Sequence, residues 1–129
     1  MFFDEETLLD LRLNIMDKYV DKFVITESTY MHSGKQKKLI FDINNFSQFK
    51  DKIIYIVVDK PPPDLIKFSD NDSQDTKKSK MIDNAKKREM FQINKTQDGL
   101  INADQDDMII ISDIDEIPNL ENINLKENK

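Results

Sequence analysis

The sequence predicts an α/β domain with a mostly parallel sheet and flanking helices. Three observations carry that expectation. Residues 22–27, 53–58 and 108–111 are short apolar or β-branched runs, the pattern of strands covered on both faces. The connections between them are far longer than a hairpin turn, and at least two carry helical spacing. No internal repeat or second hydrophobic run calls for another domain, so residues 1–129 read as one unit.

Taken in order, residues 2–18 predict a helix. Leu8, Leu9, Leu11, Ile15 and Met16 follow mixed three- and four-residue spacings, and Asp4, Glu5 and Glu6 suit a helix start. Lys22 to Glu27 predicts the first strand, followed by a polar loop at 28–38 that holds Gly34. Ile53 to Val58 predicts the second, stopped by Pro61-Pro62-Pro63. Residues 64–80 are rich in Asp, Ser and Lys, which predicts a mobile surface loop. Met81, Ile82, Ala85, Glu89 and Ile93 predict a helix over 81–97 ending at Gly99. Met108 to Ile111 predicts a third strand, directly before Ser112-Asp113-Ile114-Asp115-Glu116.

Composition excludes several classes. The chain has 129 residues and a formal charge of −6, the wrong sign for non-specific attraction to nucleic acid or an anionic membrane. It has no cysteine, so no disulfide framework, zinc-thiolate centre or thiol nucleophile. No apolar run approaches the ~18 to 20 residues of a membrane span. The acidic start at Asp4 to Glu6 differs from a basic leader, which leads us to expect a soluble, cytoplasmic chain. Ser-His-Asp groupings, Walker loops and Gly-x-Gly-x-x-Gly are absent.

In parallel α/β sheets ligands gather at the carboxyl ends of strands. Asp113 and Asp115 take that position after the predicted third strand. In extended backbone, residues two apart share a side, so both carboxylates could face one cation. Oxygen ligands of this kind suit Mg²⁺ or Mn²⁺, and such an ion can clamp a diphosphate. The spacing alone is weak, because 18 aspartates also give Asp70/Asp72 and Asp104/Asp106. Only Asp113/Asp115 follows an apolar run directly.

Longer blocks add to this pair. Leu11 to Ile15, Val20 to Ile25, Glu27-Ser28-Thr29 and His32-Ser33-Gly34-Lys35 resemble glycosyltransferase family 17. So do Asp51 to Ile54, Val57-Val58-Asp59 and Ile109 to Pro118. This is the family of the β-1,4-mannosyl-glycoprotein β-1,4-N-acetylglucosaminyltransferase. The resemblance implies a GT-A, Rossmann-type fold and inverting transfer of N-acetylglucosamine from UDP-N-acetylglucosamine to a glycan acceptor. It also implies a divalent metal, Mn²⁺ or Mg²⁺, at Asp113 and Asp115. Glu27, Ser28 and Thr29 would line the nucleotide pocket, with Ser33, Gly34, Lys35 and Asp113 also on the donor; Glu116 is the nearest carboxylate for a base. Where the family carries a Gln-Arg-Asn triplet, this chain reads Gln92-Ile93-Asn94. It ends soon after the acidic motif, where the family domain continues, so the resemblance covers the nucleotide-binding half; a non-catalytic nucleotide-sugar module or inactive fragment is the alternative.

A competing reading is calcium. Asn94 to Gln105 overlays an EF-hand loop, with oxygen donors at positions 1, 3, 5 and 9 and Gly99 at position 6. Position 12 is Gln105 in place of the bidentate glutamate, and a helix cap at Gly99 explains the same residues. His32, the single histidine, sits in a polar loop where a surface role is the default. The sequons at Asn45, Asn71 and Asn94 are expected by chance in so Asn-rich a chain.

Overall fold

The computed structural model describes residues 2–121 and 123. Helix α1 (Glu6–Met16) precedes strand β1 (Phe23–Ser28), and a short 3-10 segment, Ile43–Phe49, precedes strand β2 (Ile53–Val58). Helix α2 (Gln74–Lys95) follows and runs into a 3-10 turn, Thr96–Leu100. β1 and β2 pair in parallel, in register from Phe23 opposite Ile53 to Ser28 opposite Val58. The fold is therefore a small α/β domain with a two-stranded parallel sheet.

Leu9, Leu13 and Met16 form the buried stripe of α1, which meets Phe23 and Ile25 of β1 and Phe46 and Phe49 of the 3-10 segment. Aromatic rings close this core. Phe41 stacks on Phe46 with centroids 5.5 Å apart and an interplanar angle of 6°, lies 4.6 Å from Tyr55, and receives the edge of Phe2 at 5.7 Å. Such pairs add about 0.5–1.5 kcal/mol each beyond their buried area.

Residues 108–111 are not a strand. Met108, Ile109 and Ile111 are exposed, and only Ile110 of this run packs on the core, with Ile114 and Ile117 beyond it. One reason lies at the outer edge of β1. The Phe23 and Thr29 N–H groups donate toward β2, so by alternation Thr26 faces outward. Its carbonyl already accepts the Phe2 N–H at 2.9 Å.

The polar segment 64–80 also differs from expectation. From Gln74 it belongs to α2, whose N-terminus is capped by Ser73 Oγ accepting the Thr76 N–H at 3.2 Å. The residues before it are tied along the helix. Asn84, buried, accepts the Ile66 N–H at 2.7 Å and donates to the Ile66 carbonyl at 2.9 Å. Lys80 meets Asp72 at 2.6 Å, and Lys87 meets Asp64.

Gly99 does not cap α2 in a left-handed conformation; among the described glycines only Gly34 has a positive φ. Gly99 is glycine because a Cβ there would stand 2.5 Å from Val24 Cγ1. Residues 96–100 are helical, which does not match the open form of the competing calcium-loop reading over 94–105.

Glu27 joins the elements. Its carboxylate, with no exposed surface, accepts from Lys37 Nζ at 2.6 Å, the Ile40 N–H at 2.9 Å, the Phe41 N–H at 3.1 Å and the Tyr55 hydroxyl at 2.7 Å. Burial alone would raise its pKa; these four donors outweigh that and hold the carboxyl below its usual range. Burial, and then the carboxylate itself, push the Tyr55 phenol up. The lowered carboxyl sets the sign of a pH effect. Its contribution is complete above the unfolded-state value of about 4.3, and is lost as pH falls through the folded value. Glu27→Gln should cost on the order of 3 kcal/mol at neutral pH and flatten the acid limb of the urea-midpoint profile. A variant that denatures in acid with the wild-type slope would contradict this.

Candidate active site

The end of β1 builds the first wall of a cleft. After Ser28 the chain forms a tight hairpin, with Tyr30 bridging Gln36, Lys37 N–H donating to the Thr29 carbonyl, and Gly34 N–H donating to the Met31 carbonyl at 2.8 Å. Gly34 sits at φ +88°, which favours glycine, and a Cβ there would lie 2.8 Å from Arg88 Nη2. Arg88 Nη1 in turn donates to the His32 carbonyl at 3.0 Å. The hairpin tip is thus clamped to α2.

The cleft has a volume of about 450 Å³. Ser28, Tyr30, His32 and Ser33 line one side; Glu89, Gln92 and Ile93 of α2 line another; Phe2, Phe3 and Glu5 close a third. Asp113 stands at its rim, and Lys37 reaches it while holding Glu27. Asp113 also borders a smaller depression of about 190 Å³, which it shares with Glu5, Leu8, Ile114 and Asp115. The two hollows therefore meet at two acidic residues, Glu5 and Asp113.

The acidic segment is a turn rather than a strand end. Glu116 N–H donates to the Asp113 carbonyl at 3.1 Å, and the Asp113 N–H donates to the Glu116 carboxylate at 3.3 Å. Arg12 on α1 locks it from below. Its guanidinium donates to the carbonyls of Asp113 at 2.7 Å and Glu116 at 2.6 Å, and to Ser112 Oγ at 2.6 Å. Because Arg12 takes main-chain oxygens, the carboxylates of Asp113 and Asp115 stay exposed. Among the described residues no group of three or more His, Cys, Asp or Glu could hold a metal ion.

The expected site residues therefore divide. Ser28, Ser33 and Asp113 meet at the cleft, and Asp113 meets Asp115 at the adjoining depression. Glu27, expected in the pocket wall, lies sealed beneath it because its carboxylate is consumed by the four donors. Thr29 turns its hydroxyl toward the Val58 carbonyl at 3.5 Å. Gly34 shapes the hairpin tip, and exposed Lys35 accepts the Met31 N–H through its carbonyl. Glu116 spends its carboxylate on its own turn. The sequence pattern assigns no site role to Arg12, Glu89 or Gln92, since each acts across a distance no local spacing reveals.

The three-point Arg12 contact yields a direct expectation. A guanidinium fork is not matched by an ammonium, so Arg12→Lys should loosen the turn while keeping the charge. Hydrogen exchange at the Glu116 amide should then accelerate about ten-fold, in line with the 1.5–3 kcal/mol of a charged hydrogen bond. Unchanged protection at Glu116 would show that the turn holds itself.

Residues 1–128 match the family model described as Glycosyltransferase family 17. No curated protein and no solved structure matches the chain. Among the described residues no helix is long and apolar enough to cross a membrane. The match spans the hairpin, the cleft and the acidic turn in one frame, and the chain belongs to glycosyltransferase family 17.

Proposed function

We propose that the cleft receives UDP-N-acetylglucosamine and that Asp113 and Asp115 hold a divalent cation, Mn²⁺ or Mg²⁺, against its diphosphate for transfer to a glycan acceptor. The observation that carries this reading is the acidic turn. Two exposed carboxylates lie on a turn whose main chain Arg12 holds, where a nucleotide-sized cleft adjoins a smaller hollow. The donor set fits a hard cation, being oxygen only. Two side chains leave most of the coordination shell open, so the nucleotide's own phosphate oxygens would complete it. A cation held there offsets the charge that grows on the leaving diphosphate. The chain's own contribution is placement. Arg12 fixes the main chain of the acidic turn, the Arg88-clamped hairpin fixes the opposite wall, and Phe2 and Phe3 line the third side.

This arrangement makes metal and nucleotide interdependent. Mn²⁺ alone should shift the melting temperature little, whereas Mn²⁺ with UDP-N-acetylglucosamine should stabilise by about 2.7 kcal/mol at a hundred times the dissociation constant. The Asp113→Asn, Asp115→Asn double variant should stay folded and show no such shift. An equal shift in both proteins would place the cation elsewhere and sink the reading.

Ile93 supplies a second expectation. It lies on α2 and lines the cleft, at the position where the resemblance places an arginine. A guanidinium there would add a charge-assisted phosphate contact of about 1.5–3 kcal/mol. Ile93→Arg should therefore tighten UDP binding roughly ten-fold by calorimetry. Unchanged affinity would place the diphosphate away from α2.

A further inference from the structure

We infer that His32 recognises a hydrogen-bond donor group of the nucleotide sugar in the donor cleft, with Nδ1 as the acceptor atom and its tautomer fixed by Gln92. The inference rests on the donor reading above and goes beyond it in naming an atom and the group it meets.

The argument begins at Gln92, which is 1% exposed. Its Nε2 lies 3.4 Å from the Tyr30 carbonyl. A carbonyl can only accept, so the amide nitrogen must face it and the amide oxygen must face the other way. That oxygen lies 3.2 Å from His32 Nε2. It too can only accept, so His32 Nε2 carries the proton. A neutral imidazole has one N–H, and Nδ1 therefore keeps its lone pair.

Nδ1 has no hydrogen-bond partner among the described residues, yet no buried side-chain nitrogen or oxygen there lacks one. Nδ1 is accordingly open to solvent, on a ring that lines the cleft. The backbone cannot drift away, because Arg88 holds the His32 carbonyl. A lone pair so presented needs a donor. Phosphate oxygens at neutral pH offer acceptors only, so the complementary group is an O–H or N–H donor: a ribose hydroxyl or the uracil N3–H of the nucleoside, or a hydroxyl or the acetamido N–H of the transferred sugar.

His32 is the only histidine, so a long-range ¹⁵N–¹H spectrum of the imidazole reports this ring alone. At about pH 8, above the ordinary imidazole range, the free protein should show the Nε2–H tautomer, and Gln92→Met should give a mixture. Titration with UDP-N-acetylglucosamine and Mg²⁺ should move the Nδ1 resonance. A similar movement with UDP alone assigns a group of the nucleoside; movement only with the sugar nucleotide assigns the sugar. His32→Phe should weaken binding about ten-fold, and His32→Asn, whose amide oxygen can stand near Nδ1, should recover most of it. An Nδ1–H tautomer in the free protein overturns the inference. So does nucleotide binding, seen in backbone amides of the cleft, that leaves Nδ1 unmoved and is unaffected by His32→Phe; the donor reading survives that result. If no UDP ligand perturbs the cleft amides, the donor reading itself falls, and the role of His32 with it.

Discussion

The structure depends on one buried charge. Glu27 sits at the end of β1 with its carboxylate turned away from water, a placement that costs several kcal/mol unless hydrogen bonds offset it. The donors come from three places: the Lys37 ammonium on the returning arm of the hairpin, the Ile40 and Phe41 amides beyond it, and the Tyr55 hydroxyl on β2. Satisfying one side chain thus fixes the path of residues 28–41 against both strands. It also sets Phe41 over Tyr55 and against Phe46, where the aromatic core closes. The first wall of the cleft is a consequence of that cage, since Ser28 to Ser33 leave β1 immediately above it.

Both arginines of the chain serve the same purpose. Neither is spent on an ion pair among the described residues; each grips main-chain carbonyls at a turn. Arg12 holds the acidic turn from α1, and Arg88 holds the hairpin tip from α2. At Arg12 the planar fork explains the choice over any of the 17 lysines, because its donors must reach three oxygens at fixed angles. The lysines do point-charge work instead, as Lys37 does in the cage and Lys80 and Lys87 do beside α2. The two walls of the cleft are therefore braced independently, by helices far apart in the sequence.

Local pattern made part of this legible. The runs at 22–27 and 53–58 predict strands, found at 23–28 and 53–58, and the spacing of Leu8, Leu9, Leu11, Ile15 and Met16 predicts α1, although of these only Leu9 and Met16 are buried. The parallel pairing followed from the long connection between the strands. What failed did so for physical reasons. The first turns of α2 bury no apolar residue, and only Asn84 and Gln92 of the whole helix are buried; hydrophobic periodicity cannot see a helix held by amides and ion pairs. The Ser73 cap was the visible sign. Residues 108–111 have strand composition but no strand beside them in this structure, and propensity yields to the absence of a pairing edge. At the site, Asp113 and Asp115 were legible as a motif, whereas Arg12, one hundred positions earlier, was not.

The same distances bear on what the turn can do. An acidic pair on a regular strand would inherit its geometry from the sheet, and both carboxylates would be aimed before any ligand arrived. Here the pair lies on a four-residue turn whose shape comes from a guanidinium and from the turn's own Glu116 carboxylate. Fixing the main chain while leaving the carboxylates exposed separates two tasks: α1 supplies position, and under the proposed function a bound cation would supply the last part of orientation. A cation site built that way is weak until a polyanion shares the ion, because two carboxylates alone fill too little of a hard cation's shell. With a diphosphate sharing the proposed ion, the same two side chains would become sufficient. On that proposal the turn would favour joint binding of metal and nucleotide over occupancy by metal alone, which is the behaviour a cleft bordered by Glu5, Glu89 and Asp113 would require to accept a further negative charge.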